Sequence, residues 1–285
     1  SSRCRTCRTR ATGSSRSQVG VERCSTGTRL PSSTAGMIAS SDCHSVRPCN
    51  GPMKPMARGP GRKLLVNQNV VLWRGVLLGA WVSANPVDTA IEVEALIKSA
   101  NANPDVVDGV IVGNETLLRK EVTGDRLAAL IGQVKSQVQV PVTYADVWEF
   151  WLQHPEIAPA VDFLTIHLLP YWEDDPSGID QALKHVGDVR QTFGNKFAPK
   201  DVLIGETGWP SEGRQRETAV PSRVNEAKFM RGFVAMAEAN GWHYNLIEAF
   251  DQPWKRASEG AVGGYWGLFD ADRQDKGILA GPVSN

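Results

Sequence analysis

Two glutamates stand at the ends of separate apolar segments, where carboxylates can do acid and base chemistry. Glu115 closes the run VDGVIVGNE, and Glu206 closes the run DVLIGE. A lone glutamate is usually a solvated surface charge, but one that ends a segment expected to be buried is a better functional candidate. Two such carboxylates suit glycoside hydrolysis, in which one protonates the leaving oxygen and the other attacks the anomeric carbon. Asn114, directly before Glu115, is placed to hydrogen-bond a sugar 2-hydroxyl.

The separation of the two carboxyl groups would decide the stereochemistry of such a reaction. A gap of about 5–5.5 Å gives retention through a covalent intermediate. A gap of roughly 6.5–9.5 Å leaves room for a water molecule and gives inversion. The residue types alone leave both outcomes open.

Further polar and aromatic residues follow the predicted strands. In a parallel barrel the active site forms where the carboxyl ends of the strands meet, so these residues are candidate substrate contacts. They are Tyr144, Asp146, Trp148, His167, Tyr171, Trp172, Trp209, Asp251, Gln252, Trp254 and Lys255, with Glu248 just inside the last strand. His167 stands without a second His or Cys at ligand spacing, so we favour a hydrogen-bonding role and predict neither metal nor cofactor.

The chain contains nine tryptophans, which suits a cleft that binds sugar rings by stacking. Five fall in the predicted loops at the mouth: Trp148, Trp172, Trp209, Trp254 and Trp266. We interpret Trp81, Trp151 and Trp242 as packing residues.

Short apolar runs alternate with amphipathic helical patterns, which is typical of repeated βα units and a parallel sheet. The predicted strands cover residues 75–83, 107–115, 140–146, 162–170, 201–207 and 244–250. The predicted helices cover residues 88–102, 124–137, 178–193 and 222–240, with an abbreviated helix near 149–159. Ser222 is predicted to cap the last long helix and Gly241 to end it in the left-handed conformation. The fold class is therefore α/β, and six strands are six-eighths of a barrel.

The N-terminal quarter differs in composition from the rest. Residues 1–62 hold 11 basic and 2 acidic residues and no Phe, Trp or Tyr, so they cannot bury enough apolar surface to offset the entropy of folding. Their arginines are scattered rather than set on a helical face, which argues against nucleic-acid binding. All five cysteines lie here, and the Cys4–Cys7 pair has no second pair at metal-ligand spacing. No apolar run reaches the length of a membrane span, so we expect membrane association only through parts outside this chain.

Several motifs in order resemble glycoside hydrolase family 17. They are VGNE at 112–115, GETGWPS at 205–211, and FDQPWK at 250–255 followed by GLF at 267–269. The segments TYADVWEFW (143–151) and HLLPYWED (167–174) are most similar to the bacterial branch, which acts on β-1,3-glucan. The resemblance extends from about residue 75 to about residue 270.

The resemblance implies a (β/α)8 TIM-type barrel and a retaining double displacement on β-1,3-glucan. By motif, Glu115 is the acid/base and Glu206 the nucleophile, at a separation of about 5–5.5 Å. Lys255 and Glu259 match supporting residues of plant members, whereas Gln252 stands where those members usually carry an acid. Hydrolysis and transfer to a sugar hydroxyl use the same two glutamates, so both stay open. A monomer in the periplasm or cell envelope is the expectation from the family.

The first two strands of the barrel are not recognisable. Residues 1–74 have the right length for two βα units but the wrong composition, whereas 75–285 read as strands three to eight. We hypothesise that 1–74 are an out-of-frame translation of the missing quarter; the competing interpretation is a genuine disordered arm. The rival functional interpretation is a non-catalytic glucan-binding barrel or an inactive fragment.

Overall fold

The computed structural model describes residues 75–284, which form a parallel β-sheet with helical crossovers. The six strands neighbour one another in chain order, and each adjacent pair is parallel. They are β1 (Val76–Ala80), β2 (Val107–Asn114), β3 (Val142–Val147), β4 (Leu164–Leu168), β5 (Val202–Thr207) and β6 (His243–Leu246). The predicted α/β class and the six strands are confirmed, but the last strand ends at Leu246 instead of residue 250, so Glu248 lies after it and not inside it.

Helices connect the strands, as parallel pairing requires. They are α1 (Pro86–Ala102), α2 (Gly124–Lys135), α3 (Trp148–Gln153), α4 (Ile179–Lys196), α5 (Arg223–Asn240) and α6 (Arg256–Glu259). Short 3-10 turns lie at Pro155–Ile157, Pro253–Lys255 and Ala261–Gly264. The abbreviated helix predicted near residues 149–159 is α3 with the turn that follows it.

The long helices begin and end where their capping residues allow. Ser222 Oγ accepts a hydrogen bond from the Asn225 N–H at 3.1 Å, and Gly241 ends α5 with a φ of +63°. Both predicted caps of α5 are therefore confirmed. The Asn85 side chain caps α1 by accepting from the Val87 N–H at 3.0 Å, and Pro86 occupies the first helical position, where a missing N–H has no cost.

The core lies between the sheet and its helices. Val110 and Val112 of β2 are fully buried, as are Leu127 of α2 and Phe233 of α5. Trp151 is buried too, and its Nε1–H donates to the Thr165 carbonyl at 2.9 Å, which confirms it as a packing residue. Helices cover one face of the sheet, and side chains of the barrel interior cover the other. Because both faces are buried, the strands are continuous apolar runs.

The N-terminal expectations concern residues outside the described range. Strands one and two of the barrel, and both accounts of residues 1–74, fall there. Within residues 75–284, β1 and β6 are the two edges of the sheet. In the same range no helix combines the length and the apolar character that a bilayer crossing needs.

Candidate active site

The carboxyl ends of β2, β4 and β5 bring Glu115, His167 and Glu206 together. His167 Nδ1 lies 3.0 Å from Glu115 Oε1, and His167 Nε2 lies 3.9 Å from Glu206 Oε1. One side-chain oxygen of each glutamate and a ring nitrogen of His167 all lie within 4.8 Å of one another. The two glutamates singled out in the sequence thus flank a single imidazole.

The pairing of β4 with β5 places His167 beside Glu206. Their Cα atoms are register partners, after an irregularity that follows Ile166. Gly205 permits this close approach, because a Cβ at position 205 would lie 2.4 Å from Thr165 Cγ2 and 3.3 Å from His167 Cδ2. The glycine before the glutamate therefore sets how near Glu206 comes to His167.

Glu115 sits on a tight turn just after β2. Its φ is +52°, a left-handed conformation that is uncommon for a residue with a side chain and is found where surrounding contacts hold it. The Glu115 N–H donates to the Ala145 carbonyl at 2.8 Å, and its carbonyl accepts from the Arg119 N–H at 2.9 Å. The Arg119 guanidinium also donates to the carbonyls of Asn114 and Val82. Sequence reasoning missed Arg119, which no motif marks.

Tyr144 and Asp146 of β3 are hydrogen-bonded to the loop that follows Glu115. Both side chains are buried, and the Tyr144 hydroxyl donates to Asp146 Oδ2. The Leu117 N–H donates to the Tyr144 hydroxyl at 3.0 Å and approaches Asp146 Oδ2 at 3.3 Å. These hydrogen bonds hold the loop that follows Glu115, and a substrate contact from Tyr144 or Asp146 stays a prediction.

His167 carries the charge that balances the site. Burial alone would lower its pKa, but the carboxylates of Glu206, Glu115 and Asp146 raise the pKa of His167 to about 9. The imidazole is therefore protonated at neutral pH, with one N–H directed at Glu115. This agrees with a hydrogen-bonding role for His167.

The two glutamates respond differently to this cation. Burial raises the pKa of Glu115, but the hydrogen bond and charge of His167, together with Arg119, outweigh it and hold the pKa below its ordinary value. Burial raises the pKa of Glu206, and the charges of His167 and Lys255 offset only part of that rise. A general acid at Glu115 would need the higher pKa of the two glutamates, whereas Glu115 has the lowered one. In the free protein, the proton that Glu115 would donate is held by the neighbouring His167.

The same three residues are close enough to hold a metal ion. His167 Nδ1, however, is within hydrogen-bond distance of Glu115, and Nε2 faces Glu206 at 3.9 Å, an ion-pair distance without a hydrogen bond. A metal would take only one nitrogen and would have to displace a bound proton. Hydrogen bonding accounts for the cluster without an ion, and the absence of a metal stays a prediction.

A second charged group lies beside Glu206. Lys255 Nζ donates to Glu248 Oε2 at 2.7 Å, and the Gln252 side chain donates to the same oxygen. Lys255 and Glu248 are both buried. Glu259 lies within electrostatic range of Lys255, Glu115 and Glu206. The structure therefore brings predicted residues Gln252, Lys255 and Glu259 to the site, with Glu248 as the acid that Lys255 pairs with.

Asp251 is hydrogen-bonded to the C-terminal segment of the described chain. Its Oδ1 accepts from the Gly267 N–H at 2.8 Å and from Lys276 Nζ at 3.1 Å. Lys276 is itself buried and also contacts Glu226 Oε2 at 3.0 Å and Ser211 Oγ at 2.8 Å. Asp251 thus fixes the segment that contains Gly267 and Lys276, and its role as a substrate contact stays a prediction. Lys276 was missed because a single lysine in a polar segment gives no sequence signal.

Four of the predicted cleft aromatics are buried: Tyr144, described above, Trp266, which is 3% exposed, and the two that follow. Trp209 is 0% exposed, and its Nε1–H donates to the Val220 carbonyl at 3.1 Å. Tyr171 is 1% exposed and meets Trp209 and Trp266 edge-on at centroid distances of 6.1 and 6.0 Å. Aromatic residues after a strand can pack under the loops as well as line a cleft, so substrate contacts by Trp209 and Tyr171 stay predictions.

Other aromatic rings are accessible. Trp172 is 40% exposed and stacks on Trp266 at 6.2 Å, and Trp254 is 56% exposed. Trp148 begins α3, is partly buried, and meets His185 edge-on at 5.7 Å. Trp172 and Trp254 are thus the predicted aromatics best placed to stack on a sugar.

Comparison with known proteins places these features in a family context. Residues 70–267 match the BtgE/BtgC glycoside hydrolase domain. A protein named glucan 1,3-beta-glucosidase from Arthroderma benhamiae is 32% identical over 70% of this chain and 70% of its own length.

Two solved structures from Rhizomucor miehei are also similar. A glycoside hydrolase family 17 β-1,3-glucanosyltransferase is 31% identical, with a TM-score of 0.63 over 73% of this chain and 78% of the other. An active-site mutant of the β-1,3-glucanosyltransferase, in complex with laminaritriose, is 32% identical, with a TM-score of 0.65 over 73% and 77% of the two chains.

Proposed function

Because this chain belongs to the BtgE/BtgC glycoside hydrolase family, we propose that it acts on β-1,3-glucan by a retaining double displacement. The glycosidase or transglycosylase activity on β-1,3-glucan follows from the family 17 type of its relatives. The observation that carries the mechanism is the approach of Glu115 and Glu206 oxygens to within 4.8 Å of each other. Retaining enzymes hold their carboxyl groups about 5–5.5 Å apart, whereas an inverting pair needs the wider gap for a water molecule.

In the first step, a Glu206 oxygen attacks the anomeric carbon while the bond from that carbon to the glycosidic oxygen breaks. Glu115 gives a proton to the departing oxygen, and the sugar remains attached to Glu206 as an ester. Glu115 needs a proton for this step, and the His167 Nδ1–H is 3.0 Å away. Transfer of that proton from His167 to Glu115 would leave a neutral imidazole and a neutral acid ready to react.

In the second step, Glu115 acts as the base. It removes a proton from an acceptor hydroxyl whose oxygen attacks the anomeric carbon and releases Glu206. Water as the acceptor gives hydrolysis, and a sugar hydroxyl gives a longer oligosaccharide. We propose a bias towards transfer, supported by the glucanosyltransferase named among the similar structures.

Two finer assignments are also proposals. The bacterial branch rests on the segments at residues 143–151 and 167–174, whereas the relatives described above are fungal. A monomer is the proposed state, with a β-glucan chain as the binding partner.

Incubation with laminaripentaose tests the function. Hydrolysis yields only shorter products, and transfer also yields longer ones. Proton NMR of the first product should show the β-anomer, and an initial α-anomer would contradict retention. Unchanged substrate that is nevertheless bound would favour the non-catalytic glucan-binding barrel.

Variants test the two roles. Glu206→Gln should abolish turnover of every substrate. Glu115→Ala should lose about 10²–10⁴-fold on laminaripentaose but keep the first step on a dinitrophenyl glycoside, whose leaving group needs no proton. Glu238→Gln, on the exposed side of α5, is the matched control and should behave as wild type. Equal losses for Glu115→Ala on both substrates would contradict its role as the acid.

A further inference from the structure

The two carboxylate oxygens of Glu248 have different surroundings. Oε2 accepts hydrogen bonds from Lys255 at 2.7 Å and from Gln252. Oε1 is buried and has no hydrogen-bond partner among residues 75–284. The whole residue is only 4% exposed. A buried carboxylate oxygen without a donor is unfavourable, so this oxygen needs an explanation that the protein's own contacts do not supply.

The unmatched oxygen belongs to a rigid part of the site. The Glu248 N–H donates to the Trp266 carbonyl at 2.8 Å, and the Glu248 carbonyl accepts from the Leu268 N–H at 2.9 Å. Lys255 on Oε2 fixes the orientation of the carboxylate and favours its ionised form. Oε1 is therefore a positioned acceptor rather than the end of a mobile side chain.

Glu248 lies on the Glu206 side of the active site. Glu206 and Glu259 are among the charges that act on it, together with Lys255. Other buried atoms near the two glutamates also lack a hydrogen-bond partner among the described residues, and they include Asn114 Nδ2, Thr116 Oγ1, Thr207 Oγ1 and Glu259 Oε1. Unmatched donors and acceptors around a pair of reacting carboxylates are suited to the hydroxyl groups of a sugar, since each hydroxyl both donates and accepts.

We propose that Glu248 Oε1 accepts a hydrogen bond from a ring hydroxyl of the glucosyl unit that becomes attached to Glu206. This inference rests on the proposed function and deepens it by naming a specificity residue of the same site. Glu248 thereby supplies the carboxylate that the family resemblance led us to seek at position 252. The alternative is a purely structural role, in which Glu248 serves only to neutralise Lys255.

Deoxy substrates separate these two roles. The probes are 4-nitrophenyl β-laminaribioside and its 2-, 4- and 6-deoxy analogues, modified in the unit that bears the nitrophenyl group. In the wild-type protein, loss of the contacted hydroxyl should lower kcat/KM about 10- to 100-fold, as expected for a hydrogen bond to a charged group. Because Asn114 is the candidate contact for the 2-hydroxyl, the effect is expected for the 4- or 6-deoxy analogue.

The Glu248→Gln variant completes the test. It should be slow on the parent compound, yet the same hydroxyl deletion should cost it less than about 3-fold, because the charged acceptor is already gone. If every deletion costs variant and wild type the same factor, Glu248 does not contact the sugar and the proposal is overturned. Glu248→Asp, which keeps the charge for Lys255 but withdraws the oxygen, serves if Glu248→Gln does not fold. Glu238→Gln is the control.

Failure of the proposed function gives a different result. If the wild-type protein binds the parent compound without cleaving it, the double displacement is contradicted. The Glu248 contact is then judged from calorimetric dissociation constants of the same four compounds, with the same expected loss in wild type and its absence in Glu248→Gln.

Discussion

His167 Nδ1 and Glu115 Oε1 lie 3.0 Å apart, and this contact ties the charge state of the acid/base candidate to a buried imidazole. Two carboxylates within 4.8 Å of each other would repel strongly if both were ionised without a counter-charge. The protonated His167 lies between them and stabilises both anions. The histidine therefore joins the predicted acid/base and the predicted nucleophile into one titrating unit.

The first prediction concerns His167 and the pH dependence of stability. Its pKa rises from an ordinary value of 6.5 to about 9 in the folded protein. The resulting stabilisation is complete below about pH 6.5 and is lost as pH rises through 9, because the folded state then loses the proton it holds. Between pH 6 and pH 10 the free energy of unfolding of the wild type should fall, relative to His167→Asn, by roughly 3 kcal/mol.

Urea denaturation of both proteins across this pH range measures the difference. His154→Asn, at an ion pair with Glu156 near the surface, is the control and should follow the wild-type curve. Parallel curves for wild type and His167→Asn would show that His167 is not charged in the folded protein.

The second prediction concerns the spacing of β4 and β5. In Gly205→Ala the new Cβ would meet Thr165 Cγ2 at 2.4 Å, so the strands must separate next to His167 and Glu206. We expect a loss of about 1–3 kcal/mol of stability from overpacking and a larger fractional loss of kcat than of substrate binding. Gly132→Ala, in α2 with nothing within 4 Å of the added carbon, should instead stabilise the protein by about 0.5–1 kcal/mol. Unchanged kcat in a folded Gly205→Ala protein would contradict the spacing argument.

The strands, and the positions of Glu115 and Glu206 at strand ends, were predictable because they depend on local sequence. A strand buried on both faces appears in the sequence as a continuous apolar run. A glutamate that ends such a run can be recognised from the sequence, because a charged residue is uncommon in a segment expected to be buried. The direction in which a side chain points, by contrast, is not determined by the local sequence. Trp172 and Trp209 both follow strands, yet only Trp172 is exposed, since the burial of Trp209 depends on Tyr171 from another loop and on the Val220 carbonyl at the far end of its own loop. No single-sequence pattern contains that information.

The ion-pair partners of buried charged residues were harder to predict than the exposure of the tryptophans. The family resemblance placed Lys255 at the site and led us to expect an acid at position 252. The acid that pairs with Lys255 is instead Glu248, which lies two residues after β6. Lys276 contacts Ser211 and Glu226, which are 65 and 50 residues away in sequence. Pairing over such distances is a result of the fold, so it becomes visible only in the structure.

The third prediction concerns the buried Lys276. It contacts Glu226 at 3.0 Å and Asp251 at 3.1 Å, with both side chains largely enclosed. Burial raises the pKa of Glu226 to about 8 and raises that of Asp251, with Lys276 offsetting only part of each rise, so in Lys276→Met both carboxyl groups can take up protons. The loss is then that of the buried hydrogen bonds that Lys276 donates, which should cost about 1–3 kcal/mol. Lys228→Met is the matched control on the surface, where the pair with Asp180 at 2.9 Å is solvated and contributes about 0–1 kcal/mol. Urea denaturation at pH 7 distinguishes the two, and equal effects would show that Lys276 is not structurally important.

The last prediction separates cleft tryptophans from core tryptophans. Trp254 is 56% exposed, so Trp254→Ala should leave stability nearly unchanged and weaken binding of laminari-oligosaccharides, because a stacking face is lost. Trp209 is 0% exposed, so Trp209→Ala should cost about 3–5 kcal/mol of stability through the cavity it leaves. Thermal unfolding and calorimetric titration of each variant give the two quantities independently. If Trp209→Ala loses binding but not stability, the Trp209 ring of the wild type contacts the substrate, as the sequence predicts.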